Sequence, residues 1–253
     1  MARKIQRYGW TRDIPDQRDF LYGAPSPIHQ TLPAFVDLTA QCPPVYDQDD
    51  LGSCTANAIA GAIEFDQRKE KKPEFTPSRL FIYYNERLME GTVDYDSGAQ
   101  IRDGIKSVNA QGACHESLWP YHASSFTVAP PSGCYADAVL HKAILYQRLS
   151  QTLTSMRSCL AAGYPFVFGF AVYESFESDQ VAADGVVPMP QSTESVVGGH
   201  AVVAVGYDNQ AAQFIVRNSW GSGWGKKGYC RMPYAYLNEA SLSGDFWTIR
   251  TVK

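Results

Sequence analysis

The hydrophobic period changes partway along the chain, and that change restricts the fold more than any other feature. From Thr55 the apolar residues Ala56, Ile59, Ala60 and Ile63 recur at helical spacing, with Ala58 and Ala62 between them, until the pattern fades into the charged run 68–72. This predicts a mostly buried helix. A second helix is expected in "TPSRLFIYYNERLME", with Thr76 as cap and Pro77 in the first turn, and a third in "GAQIRDGIKSVNAQG", closed by Gly112. Past the proline-rich crossing "VAPPSGC" and a short helix around "TSMRSCLAAG", the texture turns to "PFVFGFAVY", "HAVVAVGYD", "QFIVRNSW" and "GYCRMPY". These segments are rich in β-branched and aromatic residues and read as strands. Helices followed by strands, with no internal repeat, predict an α+β protein. The expected lobes are a helical one, mainly 50–125, and a β one, mainly 126–253, with a cleft between them. Residues 1–31 mix Arg, Asp, Gln, Pro and aromatics with neither period, so they read as an extended arm ahead of a body at 32–253.

With 45% hydrophobic and 19% charged residues in 253, the chain can bury a sizeable core without a metal or disulfide staple. A formal net charge of -4 and the absence of a long like-charge block argue against nucleic acid as partner. No segment approaches the roughly 18 apolar residues of a membrane span, and the basic start "MARKIQRYGW" leads into polar sequence without an apolar signal core. The expectation is a monomer that meets neither nucleic acid nor membrane; no compartment is indicated. Six cysteines are too few for a disulfide scaffold and include no CxxC pair. His115, His122 and His141 lie near Cys114 and Cys134 in sequence yet lack ligand-like spacing, so they read as surface or loop histidines and no metal is expected.

Chemistry concentrates at a few positions. Cys54 heads the alanine-rich helix, preceded by the small residues Gly52 and Ser53. The thiolate, not the thiol, is the nucleophile; helix N–H groups, the helix dipole and a nearby imidazolium can lower the cysteine pKa by several units. Far downstream, "VVGGHAVVAVGYD" sets His200 at the entrance to an apolar strand, and "FIVRNSWGSGWGKKGYC" carries Asn218 just past another. An amide beside an imidazole fixes its tautomer without competing for its charge, which suits a thiolate–imidazolium pair. Gln48 can offer its side-chain amide, beside the Cys54 backbone N–H, to a developing oxyanion.

The blocks "QDDLGSC", "GGHAVVAVGYD" and "VRNSWGSGWGKKGYCRM" resemble the glutamine, cysteine, histidine and asparagine blocks of the papain-like cysteine peptidases. The order Gln48, Cys54, His200, Asn218 agrees, with separations near the roughly 130–150 residues of that family and the asparagine slightly later. The likeness runs from "LPAFVDL" to the "DFWTIR" terminus. It implies a two-lobe fold, with a helical lobe and an antiparallel, barrel-like β lobe. It also implies hydrolysis of peptide or protein substrates through an acyl-enzyme, without a cofactor. Cys54 would attack the carbonyl, His200 move the proton, Asn218 orient His200 and Gln48 complete the oxyanion hole. Trp220 resembles the tryptophan that shields the His–Asn bond, Gly98 and Ala99 the wall that pairs with substrate backbone, and Gly169 and Gly199 the lining of the main specificity pocket. No insertion plainly blocks one end of the cleft, so an endopeptidase is favoured. A thiol-dependent acyltransferase or a catalytically weak binding protein on the same fold is the alternative.

The chain departs from the family pattern in two ways. Leu51 and Thr55 stand where many relatives have a cysteine and an aromatic, so one family disulfide is absent; Cys114 with Cys134 is a candidate bridge, with buried free thiols the favoured reading. The arm replaces the long helical propeptide of relatives. Its aromatics, Tyr8, Trp10, Phe20 and Tyr22, are expected to hold it against the body, in or beside the cleft, where it tempers access; the alternative is that it braces the back of the domain. The stretch "ESFESDQVAADGVVPMPQSTES" reads as a long polar loop near the cleft.

Overall fold

The computed structural model describes residues 8–23, 31–142 and 145–250; the remaining parts of the arm lie outside these. Three helices come first: α1 (Cys54–Lys69), α2 (Arg79–Glu90) and α3 (Ile101–Gln111). Four shorter ones follow, α4 (Ser132–Ala138), α5 (Leu153–Ala161), α6 (Asp179–Asp184) and α7 (Tyr234–Asn238). The strands are β1 (Trp10–Thr11), β2 (Phe35–Asp37), β3 (Ala99–Gln100), β4 (Leu145–Arg148), β5 (Phe166–Tyr173), β6 (Val196–Asp208), β7 (Gln213–Arg217), β8 (Tyr229–Pro233) and β9 (Ser243–Arg250).

The helix α1 is the spine. Buried from Cys54 through Gln67, it packs on α2 and α3 on one side and on β6, β9 and β5 on the other. Its alanines and Gly61 keep it thin enough for both layers to approach, which is why its apolar residues are not confined to one stripe. The strands β5 and β6 are apolar on both faces because α1 covers one side and α5 packs against the same pair. The large sheet runs β4-β9-β5-β6-β7-β8, with β2 also paired to β6. Unlike the barrel-like lobe expected, it does not close. Other segments meet its outer strands: Leu21 of the arm bridges to Arg148 on β4, and Val186 bridges to Arg231 on β8.

The helix starts differ in detail from the sequence reading. Thr76 does not cap α2, because its carbonyl accepts from Glu116 N and Pro77 bridges to His115, holding both residues extended. Ser78 caps instead, accepting from Phe81 N, while its hydroxyl donates to the Trp119 carbonyl at 2.7 Å. Gly112 ends α3 with φ +86° as the sequence suggested. The supposed polar loop after β5 contains a 3-10 turn, Glu174–Glu177, and then α6, capped by Ser178. All six cysteines are free thiols, Cys114 and Cys134 among them, both buried.

Ser78→Ala should lower the unfolding free energy by about 1 kcal/mol, the usual worth of a lost N-cap, or more because the Trp119 carbonyl also loses its donor. Urea unfolding of the two proteins checks this.

Candidate active site

Cys54 is the first residue of α1, and no side chain caps that helix. Ser53, the residue in the cap position, is held elsewhere: its hydroxyl is 2.6 Å from Tyr121 Oη and accepts from Asn57 Nδ2 at 3.0 Å. The first-turn N–H groups of α1 are thereby left to the site, and that of Thr55 favours the charged form of Cys54. The strand β6 packs on α1, and its Ala201 N–H, one residue from His200, also favours the charged form of Cys54.

His200 is fully buried, and its Nε2 lies 2.8 Å from Asn218 Oδ1. That oxygen also accepts from Ser219 N at 2.8 Å, which fixes the amide orientation and so makes the ring nitrogen facing it the donor. His200 Nδ1 is buried and makes no hydrogen bond among the described residues, so it is the nitrogen left for the thiol proton. The Trp220 ring lies 5.0 Å from the imidazole at 32°, backed by Trp224 at 5.2 Å and Phe176 at 5.6 Å. Gln48 is buried and held at both ends. Its Oε1 accepts from Ser219 Oγ at 2.6 Å, and its Nε2 donates one hydrogen to the Leu51 carbonyl at 2.9 Å, leaving the second for a ligand.

The remaining predicted positions all line the path of the arm. Strand β1 runs parallel to β3, with Trp10 opposite Ala99, and the Gly9 carbonyl accepts from Ala99 N at 2.7 Å. A Cβ on Gly98 would fall 2.1 Å from the Gly9 oxygen. The Trp10 indole fills the space over Gly169 and Gly199, where an added Cβ would sit 1.9 Å and 2.5 Å from Trp10 atoms. The Gly9 N–H is among the backbone groups that favour the charged form of Cys54. Tyr8 covers Gly198 and its hydroxyl donates to Glu177, with its ring 6.0 Å from His200.

The sequence reading did not include the residues that clamp this arm. Asp245 accepts from Trp10 Nε1 at 3.1 Å and from Asp13 N at 2.8 Å, while the Asp13 carboxyl accepts from Trp247 Nε1 at 2.8 Å and Arg102 N at 3.1 Å. Asp19 bridges Arg102 at 2.7 Å and Arg148 at 3.0 Å, and Arg148 reaches Asp245 at 3.2 Å. An Asp–Phe–Trp triplet near the end of a strand carries no sequence signal for such a role. Nor did spacing reveal that the fold gathers His115, Asp137 and His141, whose ligating atoms lie within 4.8 Å of one another.

Beneath the arm the electrostatics oppose the ion pair expected from sequence. Burial raises the Cys54 pKa from 9.0 to about 12, against the lowering by the Ala201, Gly9 and Thr55 N–H groups. Burial likewise lowers His200 from 6.5 to about 4, with Asn218 opposing. With water excluded, both partners favour their neutral forms, so the covered site holds a thiol and an imidazole.

A family model described as "Papain family cysteine protease" matches residues 32–246. The chain belongs to the papain family. It is a cysteine-type peptidase, a hydrolase. Xylellain, a cysteine protease from Xylella fastidiosa, superposes with a TM-score of 0.93 at 45% identity over 100% of this chain and 99% of that one. An uncharacterized peptidase C1-like protein of Acanthamoeba polyphaga mimivirus is 42% identical over 98% of this chain and 88% of its own length. Digestive procathepsin L 3 of Tenebrio molitor shares the fold at 22% identity, with a TM-score of 0.71 over 92% of this chain and 74% of that one.

At pH 7.5 iodoacetamide should alkylate Cys54 of the full chain more slowly than it alkylates free cysteine, because almost no thiolate is present. A rate well above that of free cysteine, read by peptide mapping, contradicts the neutral covered pair.

Proposed function

We propose that Cys54, His200, Asn218 and Gln48 form the catalytic set of an endopeptidase, and that the arm is a built-in inhibitor occupying its cleft. In this reading Cys54 transfers its proton to His200 and attacks the scissile carbonyl carbon. The Gln48 amide and the Cys54 N–H hold the oxyanion, His200 returns the proton to the leaving amine, and water then hydrolyses the acyl-enzyme. Asn218 keeps the imidazole aimed, and Trp220 shields that bond from water.

The observation that carries the inhibitory role is the placing of one peptide. The Gly9 carbonyl oxygen is taken by Ala99 N rather than by the Gln48 amide, and the Gly9 group that acts on the charge of Cys54 is its N–H, so the nucleophile is not presented with a carbonyl held for attack. The arm is bound in the manner of an extended ligand but unproductively. Its passage also supports the endopeptidase reading, because consecutive arm residues occupy separate parts of the site: Tyr8 beside His200 and Glu177, Trp10 over Gly169 and Gly199. A cleft that admits a continuous chain past its nucleophile can cut internal bonds. Trp10, 8% exposed, anchors the arm; truncating a tryptophan so buried typically removes about 3–5 kcal/mol.

Gly9 is the position that only glycine fits, since a Cβ there would lie 1.6 Å from the Gly52 carbonyl oxygen. Gly9→Leu, Trp10→Ala and deletion of residues 1–31 should each raise kcat/KM on an internally quenched peptide blocked at both ends by about tenfold or more. Adding Cys54→Ala should remove at least about 10^4-fold of that activity. Turnover that persists in Cys54→Ala defeats the catalytic assignment; unchanged kinetics with lower stability in the arm variants defeats the inhibitory one.

The clamp adds a pH dependence. Burial, and then the neighbouring Asp245, raise Asp13 from 3.8 to about 7, with Arg102 and Trp247 opposing. A carboxyl raised in the docked state favours docking below its free pKa, and that contribution is lost as pH rises through about 7. The arm should therefore release more readily at pH 8 than at pH 5. Hydrogen exchange at the Trp10 and Thr11 amides reads the release, and Asp13→Asn should flatten the trend.

A further inference from the structure

We propose that His115, Asp137 and His141 form a binding site for a divalent transition metal of the zinc class, made of residues that take no part in the peptidase site. The three side chains come from separate stretches that the fold joins: His115 follows α3, Asp137 lies in the last turn of α4, and His141 comes three residues beyond it. Asp137 and His141 stand four residues apart, and an α4 that ends on Ala138 turns the chain so that His141 N donates back to the Ala138 carbonyl at 2.9 Å. Ala113 N donates to the His141 carbonyl, so the backbone on either side of the cluster is tied together.

The ligand set is chemically coherent. Two imidazoles and one carboxylate suit zinc, and three protein ligands leave a position open to solvent. The ligating atoms lie within 4.8 Å of one another, and His141 Nε2 is 3.9 Å from an Asp137 oxygen. A tetrahedral ion with bonds near 2.1 Å needs ligands about 3.4 Å apart, so closure needs shifts of order 1 Å, within reach of ring rotation.

The outer surroundings are also in place. The His115 backbone N–H donates to Asp137 Oδ2 at 3.0 Å, which aims the carboxylate while leaving its other oxygen toward His141. Phe75 stacks on the His115 ring at 4.3 Å and 23°, and lies 4.3 Å from the His141 ring, packing both imidazoles together while leaving them the small movements that closure needs. Outer partners that orient ligands in this way are the usual companions of a metal site. His141 and Asp137 keep 26% and 22% side-chain exposure, enough for an ion to enter and for water to complete its coordination. An ion here would staple α4 to the turn after α3, beside Phe75, steadying the helical layer.

The test uses full-length protein carrying Cys54→Ala, so that the catalytic cysteine contributes no binding. Titration with cobalt(II) should produce visible d–d absorption saturating at one equivalent, displaced by zinc, and zinc should raise the melting temperature. His115→Ala and His141→Ala should each weaken cobalt binding by more than about 10-fold. Asp137→Asn, which keeps the side-chain shape, should weaken it while circular dichroism stays unchanged. Absence of cobalt absorption in the folded protein, or binding undiminished in the correctly folded histidine variants, overturns the site.

Discussion

The contact on which the rest of the molecule turns is the close backbone approach of Gly9 to Gly52 and Gly98, at the head of the helix that Cys54 begins. It exists because three backbones can approach with no Cβ between them: a side chain on Gly9 would strike the Gly52 carbonyl, and one on Gly98 would strike Gly9 itself. Closing that gap removes water from the head of α1, and the balance of charge follows. The N-terminal dipole of a helix is worth up to about 2 kcal/mol to a nearby anion. The rise of Cys54 from 9.0 to about 12 corresponds to about 4 kcal/mol in the other direction. Burial wins, and the nucleophile rests as a thiol.

The same burial makes the arm's attachment specific. Trp10 sits where glycines at 169 and 199 leave a pocket, but its indole N–H needs a partner once buried, and Asp245 supplies it. That carboxylate in turn needs compensation, which comes from Arg148 and the Asp13 N–H; Asp13 then takes the Trp247 N–H. One aromatic anchor thus requires a chain of polar groups drawn from the arm, β4, β9 and the start of α3. Removing a member leaves another buried and unpaired, so the arm is held as a unit.

Local period and motif carried much of this into view from sequence alone. The helix from Cys54, the Gly112 stop and the four apolar strands were legible because each rests on short-range pattern. Cys54, His200, Asn218 and Gln48 were legible because their neighbours make recognisable blocks. What escaped depends on pairs distant in sequence. Ser78 displaces Thr76 as a cap only because residue 116 draws the preceding backbone into a bridge. The Asp13–Asp245 clamp and the His115–Asp137–His141 group are products of folding with no periodic trace. The open sheet has the same origin, since whether β4 and β8 meet depends on the segments that occupy their outer edges.

In the proposed reading, the thiolate–imidazolium pair expected from sequence belongs to the uncovered site. Family motifs report which groups meet, whereas their charge depends on the dielectric around them, and here the arm controls that dielectric. With Tyr8, Gly9 and Trp10 in place, His200 at about 4 and Cys54 at about 12 cannot share a proton as an ion pair near neutrality. When the arm leaves, water returns to the sulfur and the ring, while the α1 N–H groups and the Asn218 bond remain. Both shifts then reverse in the direction that favours the pair. Displacing one segment would therefore open the cleft and charge its nucleophile together, so in this reading access and reactivity are a single switch.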